Sequence, residues 1–247
     1  MRRIKLTVAY DGTAYCGWQF QPGDPTIEGE LNKAIQEVTG EKVQVIGASR
    51  TDAGVHALCN VAVFDTESRI PAEKFSYALN RRLPEDIRVN DSAECAPDFH
   101  PRHCNTRKTY EYSIDHAEFP DPTKRLYSFF TYQALDVTAM QKAATYLIGE
   151  HDFKSFCSVG AVVKTTVRTL YLVEVQEQGR TIIIRVQGNG FLYNMVRIIA
   201  GTLLEVGMKR KEPEEIQAIL EARDRTAAGP TAPARGLMLV HYEFAEN

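Results

Sequence analysis

The sequence predicts an α+β fold made of two similar halves, each a mostly antiparallel sheet covered by helices. Three observations support this prediction. Segments in which apolar and polar residues alternate, as they do in half-buried strands, recur along the whole chain. Segments with apolar residues at helical spacing lie between them. The first half has the order β-α-β-β-α-β, as in ferredoxin-like and RRM-like folds, and the second half repeats that order approximately.

The first half opens with a strand and a helix. Residues 4–10 alternate between apolar and polar side chains up to the Asp11-Gly12 turn, which predicts a strand. Thr26 is expected to cap a helix that ends near Gly40, because apolar residues recur at helical spacing between them. The remaining elements predicted here are strands at 43–47 and 58–64, a helix at 72–80 and a strand at 86–95.

Strands and helices also follow one another in the second half. The predicted elements are a strand at 108–115, a helix at 137–148, hairpin strands at 166–176 and 181–187, helices at 194–206 and 213–222, and a strand at 237–244. The hairpin is expected to turn at Gln178-Gly179. Residues 115–131 and 226–236 are expected to form long loops, which carry functional residues more often than the elements that they join.

The composition is that of a water-soluble globular protein. Of the 247 residues, 44% are hydrophobic and 25% are charged. No segment approaches the roughly 18 uncharged apolar residues that suggest a membrane span. Residues 1–6 carry basic side chains but lack the apolar segment and cleavage site of a signal peptide. We therefore expect a cytoplasmic protein without a membrane partner.

The cysteine and histidine positions argue against a metal site. The five cysteines are widely spaced and contain no CxxC pair, which favours reduced thiols over disulfides or zinc ligands. Residues 100–104 contain two histidines and a cysteine but have no second ligand cluster at zinc spacing. His56 lies four residues after Asp52, but Gly54 disfavours the helix that would bring both to one metal. We expect no metal.

The charge balance weighs against a nucleic-acid partner without excluding one. The formal net charge is −3, whereas phosphate binding generally needs a basic surface. Acidic residues concentrate in the predicted helices, and groups of basic residues lie near predicted turns. These groups are Arg81-Arg82, Arg107-Lys108, Lys124-Arg125 and Lys209-Arg210-Lys211. Such segregation leaves room for one basic face, and ordinary solvated surface is the alternative for each group.

A short connection between two predicted strands carries the chemically most informative residues. Residues 48–57 place Arg50, Asp52 and His56 close together. An aspartate carboxylate ordinarily has a pKa of about 3.9, so it is ionised at neutral pH and needs no base to become a nucleophile. In extended backbone Arg50 would project to the same side as Asp52, toward the carboxylate or a substrate's backbone. The alternative is a turn in which aspartate and glycine serve conformation only.

The segment Arg50-Thr51-Asp52-Ala53-Gly54-Val55-His56 resembles the active-site loop of the tRNA pseudouridine synthase A (TruA) family. Other segments resemble that family in the same order along nearly the whole chain. They are residues 10–13 with 17–19, 98–102, 107–112, 149–153, 194–201, and 232–233 with 236–237. One short match has little weight alone, but ordered matches over both halves make accident improbable.

The resemblance implies an isomerase that converts uridine to pseudouridine in tRNA, on the 3′ side of the anticodon stem-loop. It implies a homodimer that works without a metal or an organic cofactor. Residues 1–105 would carry the catalytic aspartate loop, and residues 106–247 would complete an active-site cleft between the two halves.

The resemblance also implies roles for particular residues. Asp52 is the catalytic nucleophile, Tyr110 contacts the target base, and Arg197 forms an ion pair with Asp52 across the two halves. A paired uridine must leave its stack before it reacts. Arg50 is our candidate to fill the gap that it leaves.

The residues by themselves leave alternatives open. Arg197 lies in an otherwise apolar helix, so either a carboxylate partner or a path of the side chain to solvent is expected. Tyr110 alternates with Tyr112 along one strand, which is typical of core packing. Trp18 is interpreted as core, with substrate contact as the alternative.

Two other classes of protein stay open as well. An RNA-binding protein of the same architecture would do no chemistry, but the carboxylate of Asp52 facing phosphates would weaken its binding. A small-molecule hydrolase or mutase would use Asp52 together with His56.

Overall fold

The chain folds into two units. The computed structural model describes residues 1–160 and 163–244. The first unit contains Met1–Asn105 and the chain from Leu239 onward, and the second contains Thr106–Met238. Most of the last strand, from Leu239, thus belongs to the first unit through its contacts, although it comes last in the sequence. The roles predicted for residues 1–105 and 106–247 stay predictions.

The first unit has the element order β-α-β-β-α-β that the sequence predicts. Its elements are β1 (Arg2–Tyr10), α1 (Ile27–Thr39), β2 (Ile46–Gly47), β3 (His56–Thr66), α2 (Phe75–Leu79) and β4 (Ile87–Cys95). The strand order is β4-β1-β3, with β2 paired to β3, and all of these pairs are antiparallel. A turn of 3-10 helix at Ala72–Lys74 leads into α2.

Local sequence signals set the bounds of α1. The Thr26 hydroxyl accepts a hydrogen bond from Gly29 N at 3.2 Å, which satisfies one of the free N–H groups at the start of the helix. Gly40 follows the helix in the left-handed conformation with φ 78°, which glycine adopts without steric cost. Leu31 and Ile35, one turn apart, are buried and face the core of the first unit.

The second unit contains a sheet and three helices in the part of the chain that is described. Its elements are β5 (Thr106–His116), β6 (Phe129–Thr131), α3 (Val137–Thr145), β7 (Gly149–Asp152), β8 (Val167–Gln178), β9 (Thr181–Gly188), α4 (Met195–Gly207) and α5 (Glu215–Ala222). The strand order is β5-β9-β8-β7 with antiparallel pairs, and β6 pairs with β5 in parallel. The last strand of the chain, β10 (Leu237–Phe244), lies beside β3.

Helix α4 forms the apolar centre of the second unit. Every residue of this helix is buried except Arg197 and Glu205, as expected for a helix that is hydrophobic on all sides. It packs against α3 and β5. Between residues 1 and 160 and between 163 and 244, no helix combines the length and apolar character needed to cross a membrane.

The predicted fold class is confirmed, since the chain is a mixed α/β protein with mostly antiparallel strands. Some boundaries differ. The sequence predicts a strand at 43–47, but β2 begins at Ile46 because Val45 N donates to Asn32 Oδ1 at 2.9 Å instead of joining a strand ladder. The end of the predicted loop 115–131 forms β6, and β7 has no apolar alternation that would predict it.

Candidate active site

Asp52 lies in the connection between β2 and β3, which we call loop 48–55. Val55 N donates to the Asp52 backbone oxygen at 3.1 Å, and Gly54 adopts φ 76°, so the backbone turns tightly at this point. Thr51 and Val55 are buried, whereas Asp52 is partly exposed. The loop therefore fixes the backbone of Asp52 and leaves its side chain within reach of a ligand.

Loop 48–55 rests against the segment that follows β1. Trp18 N donates to the Thr51 backbone oxygen at 3.0 Å. This approach requires glycine at position 17, where φ is 95° and a Cβ on Gly17 would stand 2.7 Å from the Thr51 oxygen. A second chain segment thus holds the loop through backbone groups.

A buried polar cluster supports loop 48–55 from the strand side. The Tyr10 hydroxyl lies 2.8 Å from Thr51 Oγ1. Asn60 Nδ2 donates to the Tyr10 hydroxyl at 3.2 Å and to Ser49 O at 2.9 Å, and Asn60 Oδ1 accepts from Ser49 N at 3.1 Å. Sequence reasoning missed this cluster, although an asparagine in the apolar segment 58–64 was a usable signal.

His56 has a structural position at the start of β3. The ring is 2% exposed. Its Nδ1 accepts a hydrogen bond from Gly12 N at 3.1 Å, and Asp11 Oδ1 lies 3.1 Å from the same nitrogen. His56 therefore ties the start of β3 to the turn after β1. Among the described residues, no group of three or more His, Cys, Asp or Glu side chains is arranged to hold a metal ion.

Arg50 is exposed. Throughout the described chain its guanidinium has no ion-pair or hydrogen-bond partner, so it does not hold the Asp52 carboxylate here. Its predicted contacts with a substrate, in the base stack or at the RNA backbone, stay predictions. Trp18 is 1% exposed and its indole packs directly on Gly47, which confirms the interpretation of Trp18 as core.

Arg197 lies in the first turn of α4, in the second unit. Its Nε donates to Ala232 O at 2.8 Å, and its Nη1 donates to Asn194 Oδ1 at 2.7 Å. Ala232 N donates back to the Arg197 backbone oxygen at 3.1 Å. Protein oxygens thus orient the guanidinium, which argues against an arginine that simply extends into solvent.

The segment between α5 and β10 packs against the same region of the second unit. Gly229 N donates to Thr202 Oγ1 at 2.9 Å, and the Tyr112 hydroxyl donates to Pro233 O at 2.9 Å. Burial raises the pKa of Tyr112, although the nearby Arg197 opposes the shift. The phenol therefore stays a neutral hydrogen-bond donor over the physiological range.

Tyr110 lies on β5, opposite Val186 of β9. The residue is 8% exposed, and its ring meets that of Phe191 edge to face, with centroids 5.1 Å apart at 83°. A neighbouring ring in this geometry holds an aromatic side chain in one orientation. Tyr110 is thus a largely buried residue whose ring is packed against Phe191.

The predicted site residues fall into two groups. Asp52 and Arg50 share loop 48–55 of the first unit, whereas Tyr110 and Arg197 belong to the second unit. The predicted ion pair between Asp52 and Arg197 stays a prediction.

Comparison with known proteins identifies the family. A family model described as tRNA pseudouridine synthase matches residues 6–103 and 143–245. The match covers most of the chain, so the chain belongs to the tRNA pseudouridine synthase family, a family of isomerases.

Two curated relatives of known name agree with this assignment. The chain is 49% identical to the tRNA pseudouridine synthase A of Moorella thermoacetica, over 98% of this chain and 99% of that protein. It is also 49% identical to the protein of the same name from Acetivibrio thermocellus, over 99% of this chain and 100% of that protein. A chain of a solved Cbf5-Nop10-Gar1 complex matches with a TM-score of 0.33 and 16% identity, over 81% of this chain and 54% of that chain.

Proposed function

We propose that this protein isomerises uridine to pseudouridine in transfer RNA. Relatives that share 49% of its residues are named for this activity, and they match over nearly their whole length. The observation that carries the proposal is the construction of loop 48–55. Its backbone is fixed by the contacts of Ser49, Thr51 and Gly17, while Asp52 stays partly exposed.

We propose Asp52 as the covalent nucleophile. Pseudouridine formation breaks the bond between base and sugar, turns the uracil and rejoins it through carbon, so the detached base must be held in place. A carboxylate suits the first step because it is ionised at neutral pH. It attacks either the anomeric carbon of the sugar or the base, and the bond to the carboxylate oxygen breaks again as the product forms. A rigid loop favours such a step because the reacting atoms must be aligned.

Three further residues complete the proposed site. Arg197 orients the carboxylate of Asp52, which is supported by the way Ala232 and Asn194 hold the guanidinium. Tyr110 packs on the uracil ring, and Arg50 replaces the base in the stack or holds the RNA backbone.

The target and the assembly are part of the same proposal. We propose that the uridines lie on the 3′ side of the anticodon stem-loop, and that the protein acts in the cytoplasm as a homodimer without a metal or an organic cofactor. The resemblance to the family implies the dimer, and two chains would offer a tRNA two sets of the basic groups that one chain carries. Light scattering across a dilution series should report a dimer; a stable monomer with full activity would remove this part of the proposal.

The position of His56 favours the synthase over a small-molecule hydrolase or mutase. The ring is buried and its Nδ1 accepts from Gly12 N. A histidine used this way serves the fold of the loop and is poorly placed to act as a base beside Asp52.

Release of the uracil C5 hydrogen tests the proposed function. Bulk tRNA labelled with tritium at C5 of uracil should lose label to water in the presence of the protein, because carbon C5 exchanges its hydrogen for the sugar. A transcript whose anticodon-arm uridines are replaced by cytidine should release none. Binding of tRNA without release would indicate an RNA-binding protein, and turnover of free nucleotides after ribonuclease treatment would indicate a small-molecule enzyme.

A further inference from the structure

A small cleft in the first unit lies beside loop 48–55 and contains two arginines. Arg50, Arg102, Gln19, Gln44, Glu28 and Trp18 contribute to its lining, and its volume is about 70 Å³. That volume is well above the about 10–15 Å³ that one water needs. It is well below the about 300–1,000 Å³ of pockets for drug-sized ligands. The cleft therefore suits one small polar group rather than a whole nucleoside.

The charges of the cleft favour an anion. Arg50 and Arg102 are exposed, and in the described chain neither guanidinium has an acidic partner. Glu28 is the acid in the lining; it is 8% exposed, and its Oε2 accepts a hydrogen bond from Phe20 N at 3.1 Å. Two arginines against one carboxylate leave the cleft positive.

The donors of the cleft match a phosphate. Each guanidinium presents a planar fork of N–H groups that fits two phosphate oxygens. Gln19 and Gln44 are exposed at the cleft and add amide donors. The buried indole of Trp18 closes one side of the cleft and keeps the site shallow.

Arg102 follows a chain segment that is anchored at two of its backbone oxygens. Phe99 O accepts a hydrogen bond from Arg3 Nη1 at 2.8 Å. Pro101 O accepts a hydrogen bond from the Tyr242 hydroxyl at 2.9 Å. The backbone that leads into Arg102 is thus held before a ligand arrives, which lowers the entropy lost on binding.

We propose that Arg50 and Arg102 together bind a phosphodiester group of the RNA strand next to the target uridine. This inference rests on the proposed function. Two residues span at most about 7 Å of chain, so the backbone of Arg50 lies close to that of Asp52, and the phosphate assigned to the cleft is one near the target uridine. Arg102 is therefore a substrate-binding residue that sets the position of the RNA strand against loop 48–55.

Removal of one charge tests the proposal. Arg102→Gln keeps a polar side chain and should weaken tRNA binding about tenfold, since it removes a charge-assisted contact with phosphate. The slope of log affinity against log salt concentration should become less negative by about one. Arg69→Gln is the matched control, because Arg69 is exposed, lies outside the cleft lining and has no partner in the described chain. Equal affinities and equal salt slopes for the two variants would overturn the proposal.

Neutral linkages in the RNA identify the phosphate. A series of anticodon-arm RNAs is made, each with one neutral methylphosphonate linkage. At one linkage beside the target uridine, the substitution should lower the RNA affinity of the parent about tenfold and leave the affinity of Arg102→Gln unchanged. The proposal would be contradicted if, at every linkage, the methylphosphonate lowered the RNA affinity of Arg102→Gln by the same factor as that of the parent. A second contradicting outcome is a site for free phosphate. In that case millimolar inorganic phosphate would compete with the parent for binding, and Arg102→Gln would abolish this competition while keeping its tRNA affinity. Tritium release by the parent, measured on the same RNAs, reports separately on the proposed function.

Discussion

The hydroxyl of Tyr10 lies 2.8 Å from the hydroxyl of Thr51, the residue directly before Asp52. Both residues are buried, and Asn60 Nδ2 donates to the same Tyr10 oxygen at 3.2 Å. A buried polar network whose members are bonded to one another restricts the conformations of the backbone around it. The last residue of β1 therefore contributes to the fixed position of the proposed nucleophile.

We expect Tyr10→Phe to lower both stability and turnover. The change removes the Tyr10 partner of the buried Thr51 hydroxyl and one of the two hydrogen bonds of Asn60 Nδ2, which costs about 1–3 kcal/mol of unfolding free energy. Turnover should fall more than tRNA affinity, because the alignment of reacting atoms is more sensitive to a less well fixed loop than a contact with phosphate is. Urea unfolding and tritium release measure the two effects. Tyr77→Phe is the control, since Tyr77 is 68% exposed; equal turnover by the two variants would show that the hydroxyl of Tyr10 does not position the loop.

Gly17→Ala and Gly23→Ala should separate backbone strain from disruption of the site. Both glycines have positive φ, 95° and 89°, but a Cβ at Gly17 would stand 2.7 Å from Thr51 O, and a Cβ at Gly23 would have no neighbour within 4 Å. Both variants should carry the left-handed cost of roughly 1–2 kcal/mol. Only Gly17→Ala should also lower the turnover rate. We expect a loss of about tenfold or more, because a shift of the loop displaces the reacting carboxylate from its aligned position. Thermal unfolding and tritium release check this, and the interpretation of Gly17 fails if both variants retain the same turnover.

Local signals predict much of the fold. Thr26 and Gly40 give both ends of α1, because a cap and a left-handed glycine act within a few residues of the chain. The start of β2 could not be predicted in this way. It depends on the hydrogen bond from Val45 N to Asn32 Oδ1, and the partner lies on a helix thirteen residues earlier.

Tyr110→Ala should reduce turnover strongly, while Tyr110→Phe should keep the fold intact. A base stacked on an aromatic face gains roughly 1–3 kcal/mol, which phenylalanine also supplies. Because Tyr110 is 8% exposed and packs against Phe191, the alanine variant should also lose stability. Turnover is therefore compared between the two variants at a temperature where both are folded. If Tyr110→Ala then matches Tyr110→Phe, the residue is part of the core only.

The candidate site was predictable where its residues are close in sequence. Arg50 and Asp52 share one short segment, so a motif is enough to single them out. Asn60 was missed because its role depends on which face of β3 is buried and on the strand register that sets it opposite Val8. The alternation of polar and apolar residues does not show which group a polar residue in a strand bonds to. Ser49 becomes the partner of Asn60 only after the loop has folded back.

Turnover by Asp52→Asn is the most direct test of the nucleophile. The amide keeps the shape of the side chain but has no negative charge with which to form a covalent adduct. Asp24→Asn is the matched control, because Asp24 is an exposed aspartate of the same unit. Thermal unfolding of both variants is measured first, since loss of a charge at Asp52 affects any group paired with it.

The decisive measurement is the rate of tritium release from one transcribed tRNA, at a temperature where the parent and both variants are folded. We predict that Asp52→Asn lowers the rate by more than about a hundredfold, or roughly 2.7 kcal/mol of barrier, while tRNA affinity is kept and Asp24→Asn behaves like the parent. Release by Asp52→Asn at more than about a hundredth of the parent rate would contradict the proposed role of Asp52 as the nucleophile.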